Sequence, residues 1–142
     1  MQKGEKAGCL TTAEIEKKLI EAGIQPTLQR LEIAKYVLCQ AEHPTAEDVK
    51  AWADENLAKI SLATIYNTLG TLVNAGLLRE FRFSHTDKVV YDNRLEDHFH
   101  FVDEDTGALH DISLEEVELS PRLKKKFLIQ GIDLVFRGSV KT

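Results

Sequence analysis

Residues 61–75 read SLATIYNTLGTLVNA. Ser61 suits a helix N-cap. Leu62, Ile65, Leu69, Leu72 and Val73 recur at i, i+3, i+4 spacing, and Gly76 ends the run. The other side carries Ala63, Thr64, Asn67, Gly70, Thr71 and Asn74, with Tyr66 at the edge. A helix face turned only to water usually carries Lys and Glu. This one is short, polar and nearly uncharged, which lets a helix backbone lie close to another surface. The groove of DNA is such a surface.

Working outward, three helices precede this one. Thr12 caps a helix carrying Ile15, Leu19 and Ile20, which Gly23 ends. A second follows Thr27, with Leu28, Leu31, Ile33, Ala34, Val37 and Leu38 on its inner face. After the break His43-Pro44-Thr45, the pair Thr45 and Asp48 has capping-box spacing. A third helix then carries Val49, Trp52 and Leu57. Downstream, Phe81 and Phe83 alternate with Arg82, a turn spans Ser84–Asp87, and Lys88–Asp92 returns as a strand. Arg79, Arg82 and Lys88 are the cations of this hairpin, and His85 at its tip would meet solvent or phosphate. Three helices, a polar-faced helix and a basic hairpin make a winged helix-turn-helix, in which the helix enters the major groove and the wing touches the backbone.

The second half is strand-rich. Phe99–Val102 alternates, Asp103–Gly107 turns and Ala108–Ile112 returns. Phe127–Ile129 and Ile132–Phe136 read as two more strands around Gly131. Pro121 and Lys124–Lys126 leave room before them for a short helix or loop. So small a sheet buries too little alone and is expected to pair with a second copy. The fold class is α+β.

The 142 residues carry 18 Lys+Arg against 23 Asp+Glu, a net charge of −5, with 43% hydrophobic residues. That balance excludes disorder, and no apolar run approaches the ~20 residues of a membrane span. Without a signal-like N-terminus the chain is expected in the cytoplasm, with no membrane partner. Residues 1–93 hold 11 cations and 13 anions, and residues 94–142 hold 7 and 10. Neither half is basic, so any DNA-binding face is a local patch helped by specific contacts or dimerisation. Cys9 and Cys39 form no C-x-x-C pair, which excludes a zinc ribbon. Cys39 in YVLC reads as a core residue and Cys9 as part of a frayed tail. A disulfide between them is not expected in this compartment.

Candidate metal ligands are His43, Asp92, His98, His100 and Asp111. Residues at i and i+2 of a strand share a face, so His98 and His100 can hold one ion. Asp111 lies on the neighbouring strand within reach. His43 and Asp92 come from the first half. Lone H-x-H pairs also occur as plain surface histidines, and spacing alone does not make distant residues converge. His110 should face away from Asp111. Three imidazoles and two carboxylates suit Fe(II) or Mn(II) and admit Zn(II) in vitro. A mononuclear metalloenzyme is the reading from another class, but five protein ligands leave little room for substrate and no spare general base or nucleophile stands nearby.

HPTAEDV, SLATIYNTLGTLVNAGLL, VYD, DHFHF and TGALHDI, in this order across about residues 12–112, closely resemble the ferric-uptake-regulator (Fur) superfamily of metal-dependent repressors. The resemblance implies a winged-helix DNA-binding domain (1–90), a hinge (91–97) and a small α/β dimerisation and metal-sensing domain (98–142). It maps the regulatory metal onto His43, Asp92, His98, His100 and Asp111. DNA contacts map onto Ser61, Thr64, Tyr66, Asn67, Arg82 and Lys88, with Tyr66 matching the base-contacting tyrosine and Asn67 following it as in the peroxide-responsive PerR-type branch. It implies a homodimer on a palindromic, AT-rich operator. Three features depart from the pattern. Asp103 and Thr106 stand where the first structural-zinc C-x-x-C pair belongs, and the second pair is absent, so no structural zinc is expected. Gly131 and Ile132 replace a further histidine, and the dimerisation helix is shortened, as in the iron-response (Irr) branch. Aspartate at 111 is PerR-like. In that branch Fe(II) and peroxide oxidise a ligating histidine, here His43 or His98, and repression of peroxide-stress or metal-homeostasis genes is released. Iron or haem response is the alternative within the superfamily.

Overall fold

A computed structural model describes residues 9–83 and 87–142. The chain divides into two compact units between Leu95 and Glu96. Among the described residues no helix is long and apolar enough to cross a membrane.

The first unit runs α1 (Thr12–Glu21), α2 (Leu28–Cys39), α3 (Ala46–Asn56), α4 (Leu62–Asn74), β1 (Arg79–Arg82) and β2 (Val89–Asp92). The helices begin where side-chain oxygens can take up orphan backbone N–H groups. Thr27, Thr45 and Ser61 cap α2, α3 and α4. In α1 the cap is Thr11, one residue before the expected Thr12, because Thr11 completes a capping box with Glu14. At Thr45 the box closes with Asp48, whose carboxylate accepts the Thr45 N–H at 2.9 Å. Thr45→Ala is expected to cost about 1 kcal/mol, read from urea unfolding. Gly76 follows α4 with φ 76°, a left-handed conformation natural to glycine.

Ile15, Leu19, Ile33, Val37, Val49, Ile65, Leu69 and Leu72 are buried in one core. Each contributes roughly 1.5–3 kcal/mol of hydrophobic stabilisation. Thr68 joins the buried face of α4, its hydroxyl donating to the Thr64 carbonyl at 2.8 Å. Ile20 and Leu28 were expected inside but are exposed, Leu28 to 74%. At 100° per residue Leu28 lies about 180° around α2 from Val37, and Ile20 about 120° from the Ile15–Leu19 stripe. Cys39 is buried in the core as expected, but the expectations of a frayed Cys9 and of no disulfide are overturned. The segment before α1 packs on the core, and Cys9 is bonded to Cys39 with Cα atoms 5.6 Å apart, a separation within the disulfide range.

β1 and β2 pair antiparallel, Arg82 opposite Val89 and Arg79 opposite Asp92. This is the expected hairpin. Ser84–Thr86, including the expected tip residue His85, lie outside the described residues.

The second unit runs β3 (Phe99–Asp103), β4 (Leu109–Ile112), a 3-10 turn (Leu114–Glu116), α5 (Pro121–Lys126) and β5 (Val135–Gly138). The sheet order is β4-β3-β5, with β4 antiparallel and β5 parallel to β3. Residues 127–129 are not a strand, and the last strand starts at Val135 rather than Ile132. Phe127 is the C-cap of α5, and residues 127–134 are neither helix nor strand, the Leu134 carbonyl accepting the His100 N–H at 3.3 Å just before β5 begins. The Asp103–Gly107 turn closes itself. Asp103 Oδ1 accepts the Asp105 N–H and Thr106 Oγ1 accepts the Ala108 N–H. The Asp105 N–H is the main cause holding the Asp103 carboxyl below its usual range. Phe127, Leu128, Val135 and Phe136 are exposed, an apolar surface fitting the expectation that this small sheet is buried by a second copy.

Candidate metal centre and nucleic-acid face

In the first unit, two segments far apart in sequence bring a histidine and a carboxylate together. α2 ends at Cys39, and the chain reverses through His43 and Pro44. Among the described non-glycine residues only His43 has a positive φ, 46°. Backbone of this kind costs about 1–3 kcal/mol and persists where its surroundings fix it. Here the Pro44 carbonyl accepts the Tyr91 N–H at 2.9 Å, which pins the turn to β2. The Asn93 amide donates to the carbonyls of Val37 and Ala41, both at 3.0 Å, which ties the end of β2 to the end of α2. Asp92 is buried. Its Oδ1 accepts the Arg94 N–H at 2.9 Å, and its Oδ2 lies 3.5 Å from His43 Nε2.

In the second unit, strand register makes the site. His100 sits opposite Asp111 across β3 and β4. His98 precedes β3 by one residue and shares the face of His100, the ring centroids lying 4.6 Å apart. Asp111 Oδ1 is 3.5 Å from His98 Nε2 and 3.7 Å from His100 Nε2. His110 pairs with Phe101 on the opposite face, as expected.

Each set by itself has the chemistry of donors to a divalent ion. His98 Nδ1 is 2.8 Å from the Glu96 carbonyl. A carbonyl only accepts, so Nδ1 carries the proton and Nε2 presents a lone pair, the usual arrangement of a metal-binding histidine. The Nε2-to-carboxylate distances exceed those of good hydrogen bonds. They lie at, or 0.2 Å beyond, the upper end of the roughly 3–3.5 Å that separates two donors on one ion when each bond is about 2.0–2.2 Å. Imidazole and carboxylate donors without thiolate suit Mn(II) and Fe(II) and admit Zn(II).

The expected DNA-contacting residues lie on α4 and the hairpin. Ser61 Oγ accepts the Thr64 N–H at 3.1 Å and lies 2.9 Å from Thr64 Oγ1. Both hydroxyls therefore sit at the helix N-terminus. Tyr66 and Asn67 are exposed on the next turn, and Arg82 and Lys88 are exposed on the hairpin. The Tyr66 hydroxyl donates to Glu47 Oε1 at 3.2 Å. Desolvation, with the Glu47 charge behind it, pushes the Tyr66 phenol up. Sequence reasoning missed Glu47, Asn93 and the Glu96 carbonyl as supporting groups. Each acts through a tertiary contact or a backbone atom, for which no local pattern exists.

A family model described as the ferric uptake regulator family matches residues 21–136. The chain belongs to this family. Fur-family proteins are dimeric DNA-binding transcriptional regulators, so this member is a metal-responsive regulator rather than an enzyme. It is 32% identical over 108 residues to the peroxide operon regulator of Bacillus subtilis, covering 74% of each chain. It is 30% identical over 105 residues to the peroxide-responsive repressor PerR of Staphylococcus aureus, covering 74% of this chain and 70% of that one. Among solved structures, the ferric uptake regulator of Pseudomonas aeruginosa with manganese matches with a TM-score of 0.70 at 26% identity. That match covers 89% of this Fur-family chain and 98% of the relative.

Proposed function

We propose that this chain is a peroxide-responsive repressor whose His43, Asp92, His98, His100 and Asp111 hold one Fe(II) or Mn(II) ion. The observation that carries the reading is the spacing within each set, three Nε2-to-carboxylate distances of 3.5–3.7 Å. Neither set alone supplies enough donors for an ion that prefers about six. Residues 1–90 would read DNA, 91–97 would act as a hinge and 98–142 would pair with a second copy in the cytoplasm. A two-fold dimer would present two α4 helices to a palindromic, AT-rich operator. Ser61, Thr64, Tyr66 and Asn67 would meet the groove, and Arg82 and Lys88 the backbone. The gain from drawing the two donor sets together would become free energy for DNA binding, and the coupling is reciprocal.

When bound, Fe(II) supplies the one-electron chemistry by which peroxide oxidises an adjacent side chain. His43 and His98 are the side chains proposed to take up oxygen. An imidazole so altered is a poorer donor, so the donor set opens and the operator is released. The relatives named for peroxide response support this reading. So does aspartate at position 111.

The test is a gel-shift assay on a duplex selected from a random pool, with Mn(II) or with chelator. His98→Ala combined with Asp111→Ala is expected to lose the manganese-dependent shift. Equal binding by wild type and variant in both conditions would overturn the metal reading. Mass spectrometry after peroxide is expected to find added oxygen on His43 or His98 in iron-loaded but not manganese-loaded protein. Its absence would move the reading to iron or haem response.

A further inference from the structure

We propose that Cys9 and Cys39 form a second oxidation site, a dithiol that a hydroperoxide closes to a disulfide without any metal. A DNA-binding regulator works in a reducing compartment, where thiols are the resting state and a disulfide marks a redox device. In that respect the proposal rests on the function argued above. The bond joins residues 30 apart, with Cα atoms 5.6 Å apart. The two sulfurs differ in access. Cys39 is 0% exposed at the end of α2, whereas Cys9 is only partly buried on the core surface. An oxidant in water therefore meets Cys9 first. Cys39 Sγ lies 3.7 Å from the Leu10 carbonyl, so a reduced Cys39 thiol has an acceptor within reach.

The chemistry balances in two steps. The Cys9 thiol attacks the hydroperoxide, breaking its O–O bond. This gives Cys9 sulfenic acid and one alcohol or water. The Cys39 thiol then gives up its proton and attacks the Cys9 sulfur as thiolate, forming the S–S bond, while the hydroxyl expelled from Cys9 takes up that proton and leaves as water. The two sulfurs are oxidised by two electrons and the peroxide is reduced by two. Closure fixes the end of α2, from which the chain passes through residues 40–42 to His43. The Asn93 amide grips the same end. The second oxidation site is thus built into the support of the His43–Asp92 pair.

The experiment uses full-length, reduced protein in excess chelator, so that metal-dependent histidine oxidation does not contribute. After hydrogen peroxide, non-reducing peptide mapping is expected to find the Cys9 and Cys39 peptides linked within one chain, and dithiothreitol is expected to separate them again. The oxidised form should melt higher by on the order of 10 °C. Cys9→Ser, outside every helix and strand, should fold, lose the peroxide-induced rise and keep Cys39 as a free thiol. Two thiols that survive peroxide, links only between chains, or a bond that dithiothreitol leaves closed in the folded protein would each overturn the proposal. Failure of histidine oxidation in the iron-loaded protein would leave this result standing, and the reverse also holds.

Discussion

Asp111→Ala is expected to lower Mn(II) affinity by about a hundredfold or more and to remove metal-dependent operator binding with it. Asp111 is approached by two imidazoles through a single oxygen, at 3.5 and 3.7 Å. Its removal leaves two nitrogen donors with no negative charge between them. Loss of a group that only supports a ligand typically costs 10–100-fold in affinity, and a ligand itself belongs at or beyond the upper end. The operator follows because the coupling of metal and DNA is reciprocal. Asp111→Asn keeps the shape and one neutral oxygen, so it should lose less. His110→Ala is the internal control, since its side chain is directed to Phe101 on the other face. Calorimetric titration with Mn(II) measures all three. The metal-free variants should unfold within about 0.5 kcal/mol of wild type, because Asp111 is an exposed residue outside the core. Wild-type manganese affinity in Asp111→Ala would remove this residue from the ligand set.

What could be read from the chain depended on the range of the interaction. The α4 stripe, its Ser61 cap and its Gly76 stop are local, and each matches the structure. So does the pairing of His100 with Asp111, because a five-residue turn fixes the register of β3 and β4. Long-range features were not legible. The parallel pairing of β5 on β3 spans an irregular segment, whose apolar residues mimic a strand. The approach of His43 to Asp92 depends on the Tyr91–Pro44 bond and on a strained backbone at His43. Neither leaves a periodic trace. The Cys9–Cys39 link escaped for a related reason, since the segment before α1 has no repeat of its own and is ordered by packing on α2. The five ligand types could be picked out residue by residue, but assigning them to one ion rests on the ordered family motifs and stays a proposal.

Leu69→Ala should destabilise the metal-free protein by about 2–5 kcal/mol, whereas Leu28→Ala should stay within about 0.5 kcal/mol. Both leucines look like inner-face residues in the sequence. Leu69 is fully buried at the centre of α4, and Leu28 is 74% exposed in the first turn of α2. Truncating Leu69 removes its transfer energy and leaves a cavity in the core it shares with Ile33, Val37, Ile65 and Leu72. Against a total stability of about 5–15 kcal/mol, that loss unfolds a large share of the margin. Urea unfolding checks it, with the midpoint falling and the slope unchanged if the native state keeps its compactness. The consequence reaches the proposed DNA face, because Tyr66 and Asn67 ride on the same helix and hold position only while its other side is packed. Leu28→Ala as costly as Leu69→Ala would mean that α2 is rotated so that its first turn, rather than the Ile33–Val37 stripe, faces the core.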